Sequence, residues 1–321
     1  MYKMKIAFFS ENGLQGKCSR DFDNCRTEFA WMIALDADHY NIFNLPAKTE
    51  NYDIGIIILP KKNINKIMQS SAGEIITNMC KKVSIMQEGP NWFWQDYSME
   101  EQIWYFNSLA SVDFLLAHNE SDVNYYSGLA HKSVYAMPSL MIEDTIKDLP
   151  EVERDGRVII GGNMTSWYGG FDSMVIAEEF KSENTIYAPS MGRKIDREEE
   201  LDITHFPYMN WTEWIYKLNN MTYAVHLMRT HAAGTFALNC AYLGIPCIGY
   251  KGLDTQEKCF PWSTVELGDM SGAKKNAEKL RDDKEFYDTC SEYALFAYQD
   301  YYTEEKFKEK MYKIFEKELD E

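Results

Sequence analysis

The chain has 321 residues, 45% of them hydrophobic and 14% aromatic, and its 50 acidic and 33 basic side chains leave a formal net charge of −17. That apolar content suffices for two cores of ordinary size, whereas the charge disfavours nucleic acid, whose non-specific affinity rests on Lys and Arg neutralising phosphates. No run approaches the roughly 18 apolar residues of a membrane span, and the residues after Met1 carry no cleavage signature, so a cytoplasmic protein without a membrane span is expected.

In the first half, Lys5–Ser10 reads as a buried strand, Asp21–Ala37 as a helix, and Tyr40–Phe43, Ile54–Leu59 and Lys82–Gln87 as strands. Ser98 and Glu101 are spaced as a capping box that opens a helix with Ile103, Phe106 and Leu109 on one face. Phe114–Ala117 and Ser133–Ala136 follow as strands around a helix at Glu120–Leu129. Strands alternating with helices imply a parallel sheet covered on both faces, hence a Rossmann-like lobe over residues 1–150. Its end, Asp144–Arg157, is acidic and lacks apolar periodicity, as an exposed linker would.

The pattern then restarts. Arg157–Gly161, Thr185–Ala188, Tyr223–Leu227 and Pro246–Tyr250 read as strands, with helices at Asp172–Phe180, Thr212–Asn219 and Thr235–Leu243, giving a second Rossmann-like lobe over 151–302. In the last helix, residues 303–321, Phe307, Met311, Ile314 and Phe315 form one apolar stripe that should pack on protein. The seven cysteines are irregularly spaced without a CxxC pair, so reduced thiols and no zinc site are expected.

Met228–Gly252 is the segment richest in chemistry. A strand, a loop with Arg229 and Gly234, and a helix of small residues beginning at Thr235 leave unpaired N–H groups and a positive dipole end suited to phosphate oxygens. The competing reading makes Gly234 a turn residue and Arg229 a surface charge. His231, in the same loop, is placed to hydrogen-bond a diphosphate or a sugar.

Gly244-Ile-Pro246-Cys247, the run Gly161 to Gly169-Gly170-Phe171-Asp172, and the closing segments Asp282–Tyr287 and Tyr302–Phe307 together resemble the GT-B glycosyltransferases, particularly the C-terminal lobe of the GT4-like families. The likeness covers most of residues 158–319. It implies two Rossmann-like lobes with C-terminal helices crossing back to the first, a nucleotide diphosphate sugar as donor substrate, and no separate cofactor. The paired glutamates of that family fall on His231 and Asn239, so the donor-sugar contact and the stereochemistry do not carry over.

By the same resemblance, Tyr208 and Asn210 lie where the nucleotide base is held, and Asp254-Thr-Gln256 is the loop that meets sugar hydroxyls, an ordinary solvated loop being the alternative; Arg193 and Lys194, in the loop after the Thr185–Ala188 strand, are a further cation pair that either faces the cleft or is solvated. Gly13 and Gly16, at the exit of the first strand, belong to the loop that approaches donor and acceptor. Glu88 and His118, at two later strand exits, are the candidate general bases for an acceptor hydroxyl, with Trp92 and Trp94 offering apolar faces to a sugar ring or simply filling the core. No Asp-x-Asp stands near a strand end, so a metal-dependent mechanism is unsupported. The expected activity is metal-independent transfer of a sugar to a glycan or small-molecule acceptor. A nucleotide-sugar epimerase, a DNA-base-modifying glycosyltransferase and a non-catalytic sugar-binding relative are the alternatives.

Overall fold

A strand such as Ile6-Ala-Phe-Phe-Ser10 is buried at every position, which requires cover on both faces of its sheet. In the computed structural model, which describes residues 4–46, 50–61, 63–180, 186–190 and 197–321, that cover is present in two separate α/β units. The first comprises Met1–Arg20, Thr27–Ile142 and Glu304–Glu321, and the second Asp21–Arg26 and Glu143–Thr303.

The first unit contains β1 (Ile6–Ser10), β2 (Gly16–Lys17), α1 (Glu28–Ala34), β3 (Asp38–Asn41), β4 (Tyr52–Ile57), α2 (Ile64–Met68), α3 (Ala72–Met79), β5 (Cys80–Gln87), α4 (Met99–Ser111), β6 (Phe114–Ala117), α5 (Glu120–Ala130) and β7 (Ser133–Ala136). Its sheet has the order β2-β3-β1-β4-β5-β6-β7, parallel except for β2 against β3. Phe9, Tyr52, Ile76, Ile85, Leu109, Leu115 and Tyr126 form its core with their neighbours.

The second unit contains β8 (Val158–Ile160), α6 (Gly170–Ala177), β9 (Ile186–Ala188), β10 (Ile203–His205), α7 (Trp211–Leu218), β11 (Tyr223–His226), α8 (Thr235–Tyr242), β12 (Cys247–Tyr250), α9 (Asp254–Cys259), β13 (Thr264–Val265), α10 (Met270–Asp282) and α11 (Lys284–Tyr301). Its sheet is parallel throughout, in the order β10-β9-β8-β11-β12-β13. The closing helix α12 (Glu304–Asp320) belongs to the first unit, where Phe307, Met311 and Phe315 are fully buried and Phe315 meets Phe114 of β6 at 6.3 Å between ring centroids. Arg20 holds its first turn through a two-pronged contact with Glu304, at 3.1 and 2.7 Å.

Three local expectations are corrected. The helix expected over Asp21–Ala37 is confined to Glu28–Ala34, because Asp21–Arg26 caps α7 in the second unit. There the carbonyl of Asp23 accepts from the Thr212 N–H at 3.0 Å and Asn24 Oδ1 from the Trp211 N–H at 3.2 Å, so two of the orphan N–H groups of that helix end on this segment. On α4 the capping box of Ser98 and Glu101 is present, but Ile103 and Phe106 are exposed and the buried side chains are Tyr105 and Leu109. Tyr105 wins the inward position by stacking on Trp94 at 4.5 Å and donating to Gln87 Oε1 at 2.6 Å. Asp254-Thr-Gln256 is the first turn of α9 rather than a loop, with Thr255 and Gln256 buried.

Candidate functional site

In an open parallel sheet the loops leaving two adjacent strands diverge where the strand order reverses, and the crevice lies at the carboxyl ends of those strands. In the second unit that point is between β8 and β11. The loop after β8 carries Gly161 and Gly162 and ends at Gly169-Gly170, which start α6, while the loop after β11 carries Arg229, His231 and Gly234 and starts α8. Sequence-predicted Arg229, His231, Gly234 and Thr235 therefore gather at one sheet edge.

Helix ends separate the sites that want an anion from those that do not. Asn210, Asp269 and Asp283 cap α7, α10 and α11 with their side chains, but α8 follows a glycine, has no side-chain cap and carries no acidic residue in its first turn. Neither a side-chain cap nor a first-turn acid among the described residues therefore offsets its positive end. Gly234 is required there by conformation and by space, since it sits at φ 66° and a Cβ would fall 2.1 Å from Thr255 Oγ1, which donates to the Gly234 carbonyl at 2.9 Å.

Beside this helix end, Arg229 extends into solvent and pairs with Asp172 of α6 through Nη2 at 2.7 Å and Nε at 3.2 Å, and the Tyr250 hydroxyl donates to the same oxygen at 3.3 Å. The carboxylate both raises the affinity of Arg229 for its proton and fixes its direction. The His231 ring lies against the Gly252 backbone, where an added Cβ would sit 2.1 Å from Nε2. Beneath the loops His226, the last residue of β11, is 6% exposed between Gly161 and the ring of Phe236, and its Nε2 has no hydrogen-bond partner among the described residues. Burial pushes its pKa down to about 4, so it is neutral at physiological pH.

The remaining predicted residues of this unit make contacts within it. Asn210 caps α7, accepting from the Glu213 N–H at 2.8 Å and donating to Asp23 at 3.0 Å, and exposed Tyr208 accepts from Arg26 at 2.8 Å. Asp254 lies 3.8 Å from Lys258 within α9. Arg193 and Lys194 lie outside the described residues. Replacing Asn210 by alanine is expected to cost about 1–2 kcal/mol of stability while leaving nucleotide affinity unchanged, as a denaturant melt paired with a nucleotide titration would register.

In the first unit the strand order reverses between β1 and β4. Gly13 lies in the loop after β1 and Gly16 opens β2, both bordering open space. Glu88, at the exit of β5, is held by Lys61 at 2.9 Å. His118, after β6, is only 3% exposed against Trp31 at 5.4 Å, and neither ring nitrogen has a hydrogen-bond partner among the described residues. Burial lowers its pKa to about 4, so the imidazole is a weak base shut away from solvent rather than one presented to it. Trp94 is core, stacked on Tyr105, while Trp92 is half-buried. Sequence reasoning passed over Glu28, which opens α1 and whose carboxyl is pushed up mainly by burial. An acidic residue in a first helical turn is too common to signal a site by itself.

No protein-family model matches the chain and no curated protein matches it in sequence. Among solved structures, it covers 98% of its own length and 98% of sucrose-phosphate synthase from Thermosynechococcus elongatus at a TM-score of 0.67 and 9% identity. It covers 98% of itself and all of HepE from Anabaena in complex with UDP and glucose, at 0.66 and 12%. An α-glucosyltransferase in complex with UDP and a DNA 13-mer is matched over 98% of this chain and all of that one, at 0.64 and 14%. Against S. aureus TarM, solved with UDP, the TM-score is 0.59 at 11% identity over 81% of this chain, which spans only 55% of that one. At such identities the likeness is one of architecture: the chain has the GT-B fold, two Rossmann-like α/β units with parallel sheets, as found in these glycosyltransferases.

Proposed function

We propose that the protein is a glycosyltransferase that moves a sugar from a nucleoside diphosphate to an acceptor hydroxyl. The observation that carries this reading is the uncapped, acid-free N-terminus of α8 beside Arg229 at the switch point of the second sheet. The diphosphate would lie against the first N–H groups of α8, where the helix end and the guanidinium meet the charge that grows on the leaving phosphate as the sugar–oxygen bond breaks. Arg229 and the helix dipole supply this neutralisation from the chain itself, so turnover is expected to persist in excess chelator. The UDP bound in three of the matched structures makes UDP the first nucleotide to test. A DNA acceptor fits poorly with a net charge of −17. A reducing, cytoplasmic setting suits the seven free cysteines, six of them buried.

Calorimetric titration with UDP, GDP and ADP provides the test. One nucleotide is expected to bind, and Arg229→Ala to weaken it by ten- to a hundredfold, the range for losing a charge-assisted hydrogen bond of about 1.5–3 kcal/mol. Absence of binding by all three, or an Arg229→Ala variant that binds as tightly as the parent, would count against the assignment. Consumption of donor without an acceptor, yielding an isomeric nucleotide sugar, would point to an epimerase instead.

A further inference from the structure

In the second unit one carboxylate beside the diphosphate site is only half used. Asp172 stands in the first turn of α6, and three donors converge on a single one of its oxygens. Arg229 Nη2 at 2.7 Å, Arg229 Nε at 3.2 Å and the Tyr250 hydroxyl at 3.3 Å all reach Oδ2. The other oxygen, Oδ1, has no hydrogen-bond partner among the described residues, and the side chain is 15% exposed. Tyr250 is itself buried, and burial together with the charge of Asp172 pushes its pKa up, so the hydroxyl keeps the proton it donates.

The frame around this carboxylate is backbone. The Ser173 hydroxyl, next along α6, donates to the Gly169 carbonyl and accepts from the Leu227 N–H, each at 2.9 Å, which ties the start of α6 to the exit of β11 just before Arg229. The loop from β8 closes on the same helix start, since a Cβ at Gly170 would fall 2.2 Å from the Asn163 carbonyl oxygen. Asp172 and Arg229 thus sit on backbone segments locked to each other, and the donors on Oδ2 set the direction in which Oδ1 points.

Arg229 offsets the charge of the carboxylate, and its Nη1 takes no part in the pair, so the guanidinium can hold a phosphate with Asp172 close by. An ionised carboxylate oxygen accepts hydrogen bonds and donates none. Phosphate oxygens do the same, so Oδ1 has nothing to offer the diphosphate itself. It suits a group that carries a proton within reach of the diphosphate, and in a nucleotide sugar the rings on either side of the diphosphate both carry hydroxyls.

We propose that Oδ1 of Asp172 accepts a hydrogen bond from a hydroxyl of the bound donor, on the ribose or on the transferred sugar, while Arg229 and Tyr250 hold the carboxylate in place. This rests on the nucleoside diphosphate reading above. Asp172 then binds ligand directly as well as aiming Arg229, and a bare phosphate ligand meets only the second of these roles.

Asp172→Asn separates the two. Its amide oxygen turns to the three donors, because an NH2 there would face N–H and O–H groups, and the open position receives the NH2 in place of an acceptor. Calorimetry on the whole chain compares parent and variant with pyrophosphate, UDP and UDP-glucose, the series being built on GDP or ADP where one of those is the nucleotide that binds. Pyrophosphate is expected to bind the variant at least as tightly as the parent, since Arg229 keeps its partner oxygen and a negative charge has gone. That result also reports a folded variant. Relative to pyrophosphate, the variant is expected to lose about five- to tenfold in affinity for the ligand that brings the hydroxyl, the difference between a charged and a neutral partner.

A loss already present with UDP identifies a ribose hydroxyl, and the 2′-deoxy or the 3′-deoxy nucleotide should then bind parent and variant alike. A loss that first appears with UDP-glucose identifies a hydroxyl of the transferred sugar, and a deoxyglucose analogue should abolish the difference. One variant-to-parent ratio shared by all three ligands would overturn the inference, leaving Asp172 to act only through Arg229 and the diphosphate site standing. A parent that binds no nucleotide at all would remove the nucleotide reading and this inference together.

Discussion

Gly169→Ala is expected to cost the second unit about 3–5 kcal/mol and, with it, most of its nucleotide affinity. Gly169 ends the loop from β8 at φ 65°, where an L side chain costs about 1–2 kcal/mol, and a Cβ there would stand 1.9 Å from the carbonyl oxygen of Leu227. That atom is backbone at the exit of β11 and has no rotamer to yield, so loop and strand exit would have to part. The separation would also pull on buried Ser173, whose hydroxyl donates to the Gly169 carbonyl and accepts from the Leu227 N–H, each at 2.9 Å. Losing these buried bonds and the packing around them accounts for the rest. Because Asp172 follows this loop and Arg229 follows Leu227, the same movement would break the pair that aims the guanidinium. A urea melt combined with a UDP titration tests this, with Gly13→Ala as the control, since that position borders open space and should stay within about 0.5 kcal/mol of the parent. A Gly169→Ala variant with the parent's midpoint would show that the loop and β11 are not locked together as described.

The strands were the legible part of this fold because parallel strands are apolar on both faces, and Phe114–Ala117 and Tyr223–His226 stand close to where their composition puts them. The strand-loop-helix unit around Arg229 and Gly234 was legible for a related reason: a glycine ahead of a small-residue helix marks a close approach, and Thr255 is what approaches. What escaped depends on partners distant in sequence. Nothing in Asp21–Arg26 announces that its carbonyl and amide groups cap a helix near residue 211, and nothing in α4 distinguishes Phe106 from Tyr105 until Trp94 is in place.

The buried histidines give the second large effect, which is an acid one. His226 titrates near 4 in the folded second unit and near 6.5 when unfolded, so between those values the unfolded chain binds a proton that the folded chain refuses. Stability therefore rises with pH through this window, is fully present above 6.5, and is lost as pH falls towards 4, by about 3 kcal/mol for one such group. His118 acts in the same sense in the first unit, and His39 does so through its own burial. A carboxylate held low by its partners, such as Glu304, contributes its loss at lower pH, below about 4.5, whereas Glu28, pushed up by burial, opposes the histidines above that value, so the share of one histidine is read against its own variant. Melting temperature measured across the histidine window should fall steeply for the parent and less steeply for His226→Leu. The comparison is one of slopes, so the packing cost of the substitution, the same at every pH, drops out. Equal slopes in parent and variant would mean that folding does not hold the ring's pKa down, and the neutral state of His226 at the end of β11 would have to be abandoned.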